Sequence, residues 1–401
     1  FVPLSIANIA AYCEKMFGSS VSTSLHKDAG SLLNSIDSNP PDIVALSFYH
    51  WNTALNRVVL KQIREKLGDR AVLCLGGPSI DSDHEEHERL FRTFSDVDAF
   101  VINEGEAGFS NLVERVLAST NPWEEPIDGV VFQKDRQCVR GLDIGLSTNL
   151  AELVSPYLSG MLDPFLNASF LPIIQTSRLC PYTCTFCASG KNSGKLRGFP
   201  MDIVNEEFTY VAKKYREHGH LVLNLADDNF GILKRDVEIA RHIRKTADRF
   251  GYPQGLRFYS DKNFGETSKH VVDILGDLNK YGANFSLQTQ TKDSLNQIKR
   301  KNLRPEKLEE SIAWARSKNL TTSTEFIFGL PGESLDSFVP QLTNAIELGF
   351  SAVNCGNLMI LDGTEMRRKS FKELYRHSTK FRINGSNYGD IDGEFSVESE
   401  E

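Results

Sequence analysis

The segment Cys180-Pro181-Tyr182-Thr183-Cys184-Thr185-Phe186-Cys187 places three thiols within eight residues. Thiolates are soft ligands, and iron–sulfur clusters are held by cysteine sulfur. No fourth ligand stands nearby, so a [4Fe-4S] cluster on Cys180, Cys184 and Cys187 keeps one iron open to a substrate or cofactor. An open position separates a catalytic metal centre from a closed structural one. The competing reading is a zinc ion completed by a distant ligand such as His218 or His220. Zinc sites usually show a second closely spaced Cys pair, and the other four cysteines of this chain are scattered.

The elements that must position these thiols follow from the periodicity. From Leu171 onward, apolar strand patterns alternate with helical ones. The strands are Leu171–Thr176, Leu221–Leu225, Leu256–Tyr259, Asn284–Gln288, Thr322–Phe328 and Val353–Leu358; helices Ile203–Tyr215, Val237–Phe250 and Phe338–Leu348 lie among them. Parallel strands need such crossovers, and six units predict a partial (β/α)6 TIM-like barrel with chemistry at the carboxyl ends of its strands. Cys180 falls just beyond the first strand, on that face. The first 120 residues alternate in the same way, with strands at Asp42–Ser47, Ala71–Leu75 and Ala99–Ile102. They predict an α/β, Rossmann-like (flavodoxin-like) parallel sheet. The expected organisation is a sheet domain over 1–120, a connector over 121–168 with a hairpin around Lys134-Asp135, the barrel over 169–375, and a tail or the start of a truncated module over 376–401. The acidic end Ser396–Glu401 reads equally well as solvated.

The bulk numbers narrow the class. The chain has 401 residues, 40% hydrophobic and 24% charged, enough for two or three domains with sizeable cores. A formal charge of −8 argues against a nucleic-acid partner. No apolar run spans a bilayer and no secretory signal is visible, so no membrane partner is expected. Seven cysteines with one tight cluster do not form a disulfide framework, and a reducing, cytoplasmic compartment fits them. The others, Cys13, Cys74, Cys138 and Cys355, read as packed or idle thiols. His84-Glu85-Glu86-His87 reads as a solvated charged helix.

The Cys-x-x-x-Cys-x-x-Cys spacing with Phe186 before the last cysteine resembles the radical S-adenosylmethionine (SAM) superfamily. Further pieces are similar to that family in the right order over residues 170–370. Ala226-Asp227-Asp228-Asn229-Phe230 stands where the family holds the methionine amino group, although Gly-Gly-Glu is its commonest form. A carboxylate there pairs with a cationic amine, and Asp227 is the first choice, with Asp228 beside it. Ser286 and Gln288, alternating onto one strand face, are similar to the residues that reach the ribose and carboxylate. Arg300 reads as an anion partner or, more simply, a solvated helix-end charge. Gly329, in Gly329-Leu330-Pro331-Gly332-Glu333, resembles the turn that lines the adenine. Asp362-Gly363-Thr364-Glu365-Met366 is again similar to the family. The first domain resembles the cobalamin-binding domain of one subgroup, through Pro3–Ala7, Ser47–Asn52, Gly76-Gly77-Pro78 and Glu104-Gly105-Glu106. That resemblance implies cobalamin contacts at Ser47, Tyr49, Gly76, Gly77 and Glu104. Asp-x-His-x-x-Gly, the lower-ligand motif of some cobalamin proteins, is absent.

The resemblance implies a radical SAM enzyme with three cofactors, a [4Fe-4S] cluster, SAM and cobalamin. Reductive cleavage of SAM would give a 5′-deoxyadenosyl radical, with cobalamin-dependent methylation of an unactivated carbon. A small-molecule substrate and an electron donor such as a flavodoxin or ferredoxin are the implied partners. The alternatives are a cobalamin-independent rearrangement, cyclisation or oxidation, and a non-enzymatic iron–sulfur redox or regulatory protein. Tyr259, Asn263, Thr324, Asn354 and Cys355 lie near strand ends, where each is a cavity candidate or ordinary barrel packing.

Overall fold

The structure is a computed structural model and describes residues 1–144, 149–190, 195–218, 221–391 and 393–401. The chain divides into two compact units. One holds Phe1–Leu4, Ser155–Cys184 and the later chain to Leu358; the other holds Ser5–Val154, the segment from Thr185, and Met359–Glu401.

In the second of these, α1 (Leu4–Phe17) and α2 (Ala29–Ser38) precede β1 (Ile43–Ser47). The chain continues through α3 (Thr53–Leu67), β2 (Val72–Gly76), α4 (His84–Thr93), β3 (Ala99–Val101) and α5 (Gly105–Ala118). Strands β1, β2 and β3 are parallel neighbours. Leu73, Cys74 and Leu75 of β2 are buried on both faces, the expected state of a central strand covered by helices. Leu33, Leu60, Ile63, Leu90 and Phe91 form the core on one side; Leu112 packs with Val130 and Phe132 on the other.

The expected hairpin is present as β4 (Val130–Lys134) and β5 (Gln137–Arg140). It belongs to the same sheet, because β4 pairs antiparallel with β3. The region 121–168 is thus divided: its hairpin completes the first sheet, and the chain from Ser155 belongs to the other unit. The order β1-β2-β3-β4-β5 follows the sequence without reversal. These strands therefore do not form the crevice that a reversal of order opens in dinucleotide-binding sheets.

Of the two readings of the end of the chain, the solvated acidic one is corrected, since Ser396 and Glu398 are buried. After a short helix, Lys369–Tyr375, strands Arg382–Ile391 and Glu394–Glu400 form an antiparallel hairpin. Glu398 is 4% exposed, and its two carboxylate oxygens accept from the N–H groups of Ala54 and Leu55 at 3.0 and 2.9 Å. It thereby satisfies donors of the first turn of α3 that have no partner within the helix. The 84–87 segment is also less solvated than its composition suggests. Glu86 pairs with Arg89 at 2.7 Å, and His87 is fully buried with Nε2 2.7 Å from the Asp81 carbonyl. Burial lowers the His87 pKa.

The other unit starts with β6 (Ile173–Ile174) and a short antiparallel ribbon, β7 (Ser177–Arg178) with β8 (Arg197–Gly198), which brackets the cysteine segment. Then follow α6 (Met201–Tyr215), β9 (Val222–Leu225), α7 (Asp236–Phe250), β10 (Gly255–Arg257), α8 (Glu266–Leu275) and β11 (Ala283–Gln288). The series closes with α9 (Lys292–Gln297), α10 (Pro305–Ser317), β12 (Thr322–Phe328), α11 (Leu335–Glu347) and β13 (Ala352–Asn357). Two three-stranded parallel sheets result, ordered β10-β9-β6 and β11-β12-β13. Phe285, Leu287 and Phe326 face the helices, where they pack with Leu308, Ile312 and Phe338.

Glu207 on α6 is a buried carboxyl, with Ser155 donating to it at 2.5 Å. Burial is the larger influence and raises its pKa to about 7; the serine bond works in the opposite direction. The folded chain thus holds the proton more tightly than the unfolded chain, so this group favours folding most below about pH 4.5 and the advantage is lost as pH rises through 7. A shift of that size corresponds to about 3 kcal/mol. Glu207→Gln is expected to flatten the fall in stability between those pH values, as read by denaturant titration at each pH. An unchanged pH profile would remove Glu207 as its source.

Candidate metal centre and its surroundings

Thr176, Ser177 and Arg178 carry the chain from β6 into the cysteine segment. Asp227, beyond β9, fixes this departure. Its carboxylate accepts from the Thr176 N–H at 2.9 Å, from the Thr176 hydroxyl at 2.8 Å and from the Ser177 hydroxyl. It is 2% exposed, and burial raises its pKa despite these bonds. The first-choice SAM carboxylate is thus engaged as a brace between two strand ends. Its neighbour Asp228 is exposed.

Cys180, Cys184 and Cys187 form no disulfides. The Nδ2–H of Asn229 donates to Cys180 Sγ at 3.1 Å. Arg300 NH1 lies 3.7 Å from Cys184 Sγ. Arg300 is 9% exposed, which corrects its reading as a solvated charge. Its Nε donates to Asn302 Oδ1 at 3.0 Å and NH2 to the Ser286 carbonyl. Asn302 in turn donates to the carbonyls of Leu287 and Thr289 at 2.9 and 2.7 Å.

Tyr182, inside the segment, donates to Asp261 Oδ1 at 2.9 Å and accepts from Asn263 Nδ2 at 2.7 Å. Lys262 Nζ stands 3.4 Å from the centre of the Tyr182 ring, a cation–π contact. Burial lowers the Lys262 pKa, and Arg300 adds to this, while Cys184 and Cys180 act in the opposite direction. Burial raises the pKa of Asp261. The chain beyond β9 and β10, and the loop between α9 and α10, therefore all reach the cysteine segment. Thiolates with N–H donors and cations around them are what an anionic iron–sulfur cluster requires. Among the described residues, no three His, Cys, Asp or Glu side chains gather as a single-ion site. His218 instead packs edge-on against Tyr215, ring centres 6.1 Å apart, at the far end of α6. His220 lies outside the described residues.

The inner face of the second sheet is polar. Ser286 donates to Asn284 Oδ1 at 2.6 Å and reaches Glu325 Oε2 at 3.3 Å; Asn284 donates to Ser323 at 3.0 Å. A β-bulge between Phe285 and Gln288 breaks the expected alternation. Gln288 pairs in register with Phe326 and has φ +64°, so it does not simply share the Ser286 face. Asn354 stands in register with Glu325, whereas Cys355 aligns with the core-facing Phe326. Thr324 is fully buried and donates to the Phe285 carbonyl at 2.8 Å, which is packing. Tyr259 is half-exposed. Gly329 has φ +93°, a conformation suited to glycine. Glu333, in the same turn, accepts from Thr289 at 2.7 Å and Gln341 at 2.8 Å.

In the sheet unit, Ser47, Gly76 and Glu104 stand at or just beyond the ends of β1, β2 and β3. The Ser47 carbonyl accepts from Asn52 and Asn56 at 2.9 and 3.1 Å. Tyr49 stacks on Trp51 with ring centres 4.5 Å apart, and Trp51 is 48% exposed. This exposed aromatic surface and the adjoining polar strand ends are compatible with a large planar ligand. Gly77 has a reason of its own. A Cβ there would stand 2.7 Å from the Phe48 carbonyl oxygen, and its φ is +132°. Chain packing alone demands that glycine. Phe186 is half-buried.

Arg300 offered two readings in sequence, an anion partner and a solvated charge; Lys262 and the Asn229 contact offered none of their own. Asn229 did stand in a run singled out for its resemblance, Asp227-Asp228-Asn229-Phe230. Residues 174–340 match the family model described as the radical SAM superfamily, so the chain carries a radical SAM domain. It is 32% identical over 322 residues to the 2-(S-pantetheinyl)-carbapenam-3-carboxylate methyltransferase of Streptantibioticus cattleyicolor. It is 30% identical over 322 residues to the cobalamin-dependent radical SAM methyltransferase TokK of Streptomyces tokunonensis. Each match covers 77% of this chain and 45% of the relative, so the chain spans less than half the length of either. In fold it is similar to the radical SAM methyltransferase TsrM of Kitasatospora setae, with TM-score 0.72 and 15% identity over 96% of this chain and 76% of that one. No described helix is long and apolar enough to cross a membrane.

Proposed function

We propose that this chain is the catalytic part of a radical SAM enzyme that methylates an unactivated carbon of a small molecule with the help of cobalamin. The observation that carries this reading is the cysteine segment, met by Asn229 from beyond β9 and by Arg300 from the loop after α9. Cys180, Cys184 and Cys187 would hold a [4Fe-4S] cluster, which when bound supplies the electron for cleavage of SAM. Phe186, Asp228, Ser286, Gln288 and Gly329 are proposed to line SAM, and Asp227 to hold the strand end that orients it. The two parallel sheets are read as one curved (β/α)6 partial barrel, and the first sheet as a Rossmann-like cobalamin domain. Ser47, Tyr49, Gly76, Gly77 and Glu104 are its proposed contacts. The polar inner face around Asn284, Ser286 and Glu325 orients bound groups, and the apolar shell behind it limits water. A low-potential flavodoxin or ferredoxin is the proposed electron donor, in a reducing cytoplasmic setting.

Anaerobic loading with iron, sulfide and cobalamin, followed by reduction in the presence of SAM, is expected to release 5′-deoxyadenosine and to give a bound-cobalamin absorption spectrum. Fully loaded, reduced protein that leaves SAM intact would overturn the enzymatic reading. Cleavage without cobalamin binding would favour a rearrangement, cyclisation or oxidation instead.

A further inference from the structure

We infer that Asn229 and Arg300 set the reduction potential of the metal centre by donating to the sulfurs of Cys180 and Cys184. The inference rests on the cluster reading above. Arg300 is nearly buried, and its described hydrogen-bond partners besides Cys184 are neutral: the Asn302 amide oxygen and the Ser286 carbonyl. A buried cation needs a counter-charge, since leaving one unpaired is costly. The sulfur of Cys184 is the group toward which NH1 is aimed.

The placement is built into the fold. The β-bulge between Phe285 and Gln288 turns the end of β11, and Asn302 is clipped to that turned end through the Leu287 and Thr289 carbonyls. Asn302 then holds the Arg300 Nε, which leaves NH1 directed at the cysteine segment. Asn229, two residues after the Asp227 brace, donates to Cys180. One-electron reduction by a low-potential donor adds negative charge to a cluster and its sulfurs. Donors fixed at those sulfurs stabilise the reduced form more than the oxidised one, so they raise the potential. Arg300 and Asn229 are positioning residues in this sense.

The test is an EPR-monitored redox titration of anaerobically reconstituted chain without SAM, on wild type, Arg300→Met, Arg300→Lys and Asn229→Leu. Omitting SAM separates this role from any contact with the SAM carboxylate. Arg300→Met is expected to make reduction about tenfold less favourable, a shift of about 59 mV to lower potential for one electron. Arg300→Lys, which keeps the charge, is expected to recover part of that shift, and Asn229→Leu to lower the potential as well. If Arg300→Met does not load iron, the other two variants decide the matter. Loaded variants with the wild-type midpoint would overturn this inference and leave the cluster reading standing. Wild-type chain that takes up no four-iron cluster would overturn both.

Discussion

Cys184→Ala is expected to reduce iron and sulfide uptake to background and to abolish SAM cleavage, while Cys355→Ala retains both. The contrast follows from position. Cys184 is buried in the segment between β7 and β8, beside Arg300. Cys355 stands on β13, exposed and apart in sequence from the cysteine segment. With one thiolate missing, two sulfurs remain for a cluster that needs at least three protein ligands here, and cofactor-bound chemistry fails with the ligand set. Iron and sulfide analysis and 5′-deoxyadenosine release measure the two effects. A Cys184→Ala protein with wild-type iron content would show that the sulfur of Cys184 is not a ligand.

Asp227→Ala is expected to destabilise the chain by about 3 kcal/mol, because the loss strands two buried donors of Thr176 and one of Ser177 at about 1–3 kcal/mol each, partly offset by relaxation. For a unit of this size that corresponds to a fall in melting temperature of roughly 6–12 °C. The measurement belongs on chain without cofactors, so that any contribution from bound SAM is excluded. Asp227→Ala with unchanged melting but weakened SAM binding would make Asp227 a ligand after all, in place of a brace. Asp227→Asn should fall between the two, since its amide oxygen can accept but its NH2 faces donors.

The parts of this chain that were legible in sequence are those where one local pattern decides the outcome. Thr322–Phe328 is a strand as its β-branched and aromatic run implies, and the helix from Asp236 to Phe250 follows an apolar stripe ended by Gly251. The cysteine spacing pointed to a metal centre by itself. What escaped was decided by contacts distant in sequence. Arg300 lies between two lysines, which made it look solvated, yet it reaches a sulfur 116 positions earlier. Asp227 offered the right charge for an amine, but three donors from residues 176 and 177 reach it first. Gln288 lost its expected face to a bulge that no period-two pattern announces. Glu398 looked like part of a charged tail because its partners lie more than 300 residues away.

That last carboxylate ties the end of the chain to a helix near its beginning. The start of a helix after a sheet strand is an anion seat, ready for a phosphate. In this chain the seat at the start of the helix Thr53–Leu67 already has an internal tenant. The negative charge favoured there is supplied by the chain itself, and through it the terminal hairpin is pinned to that helix.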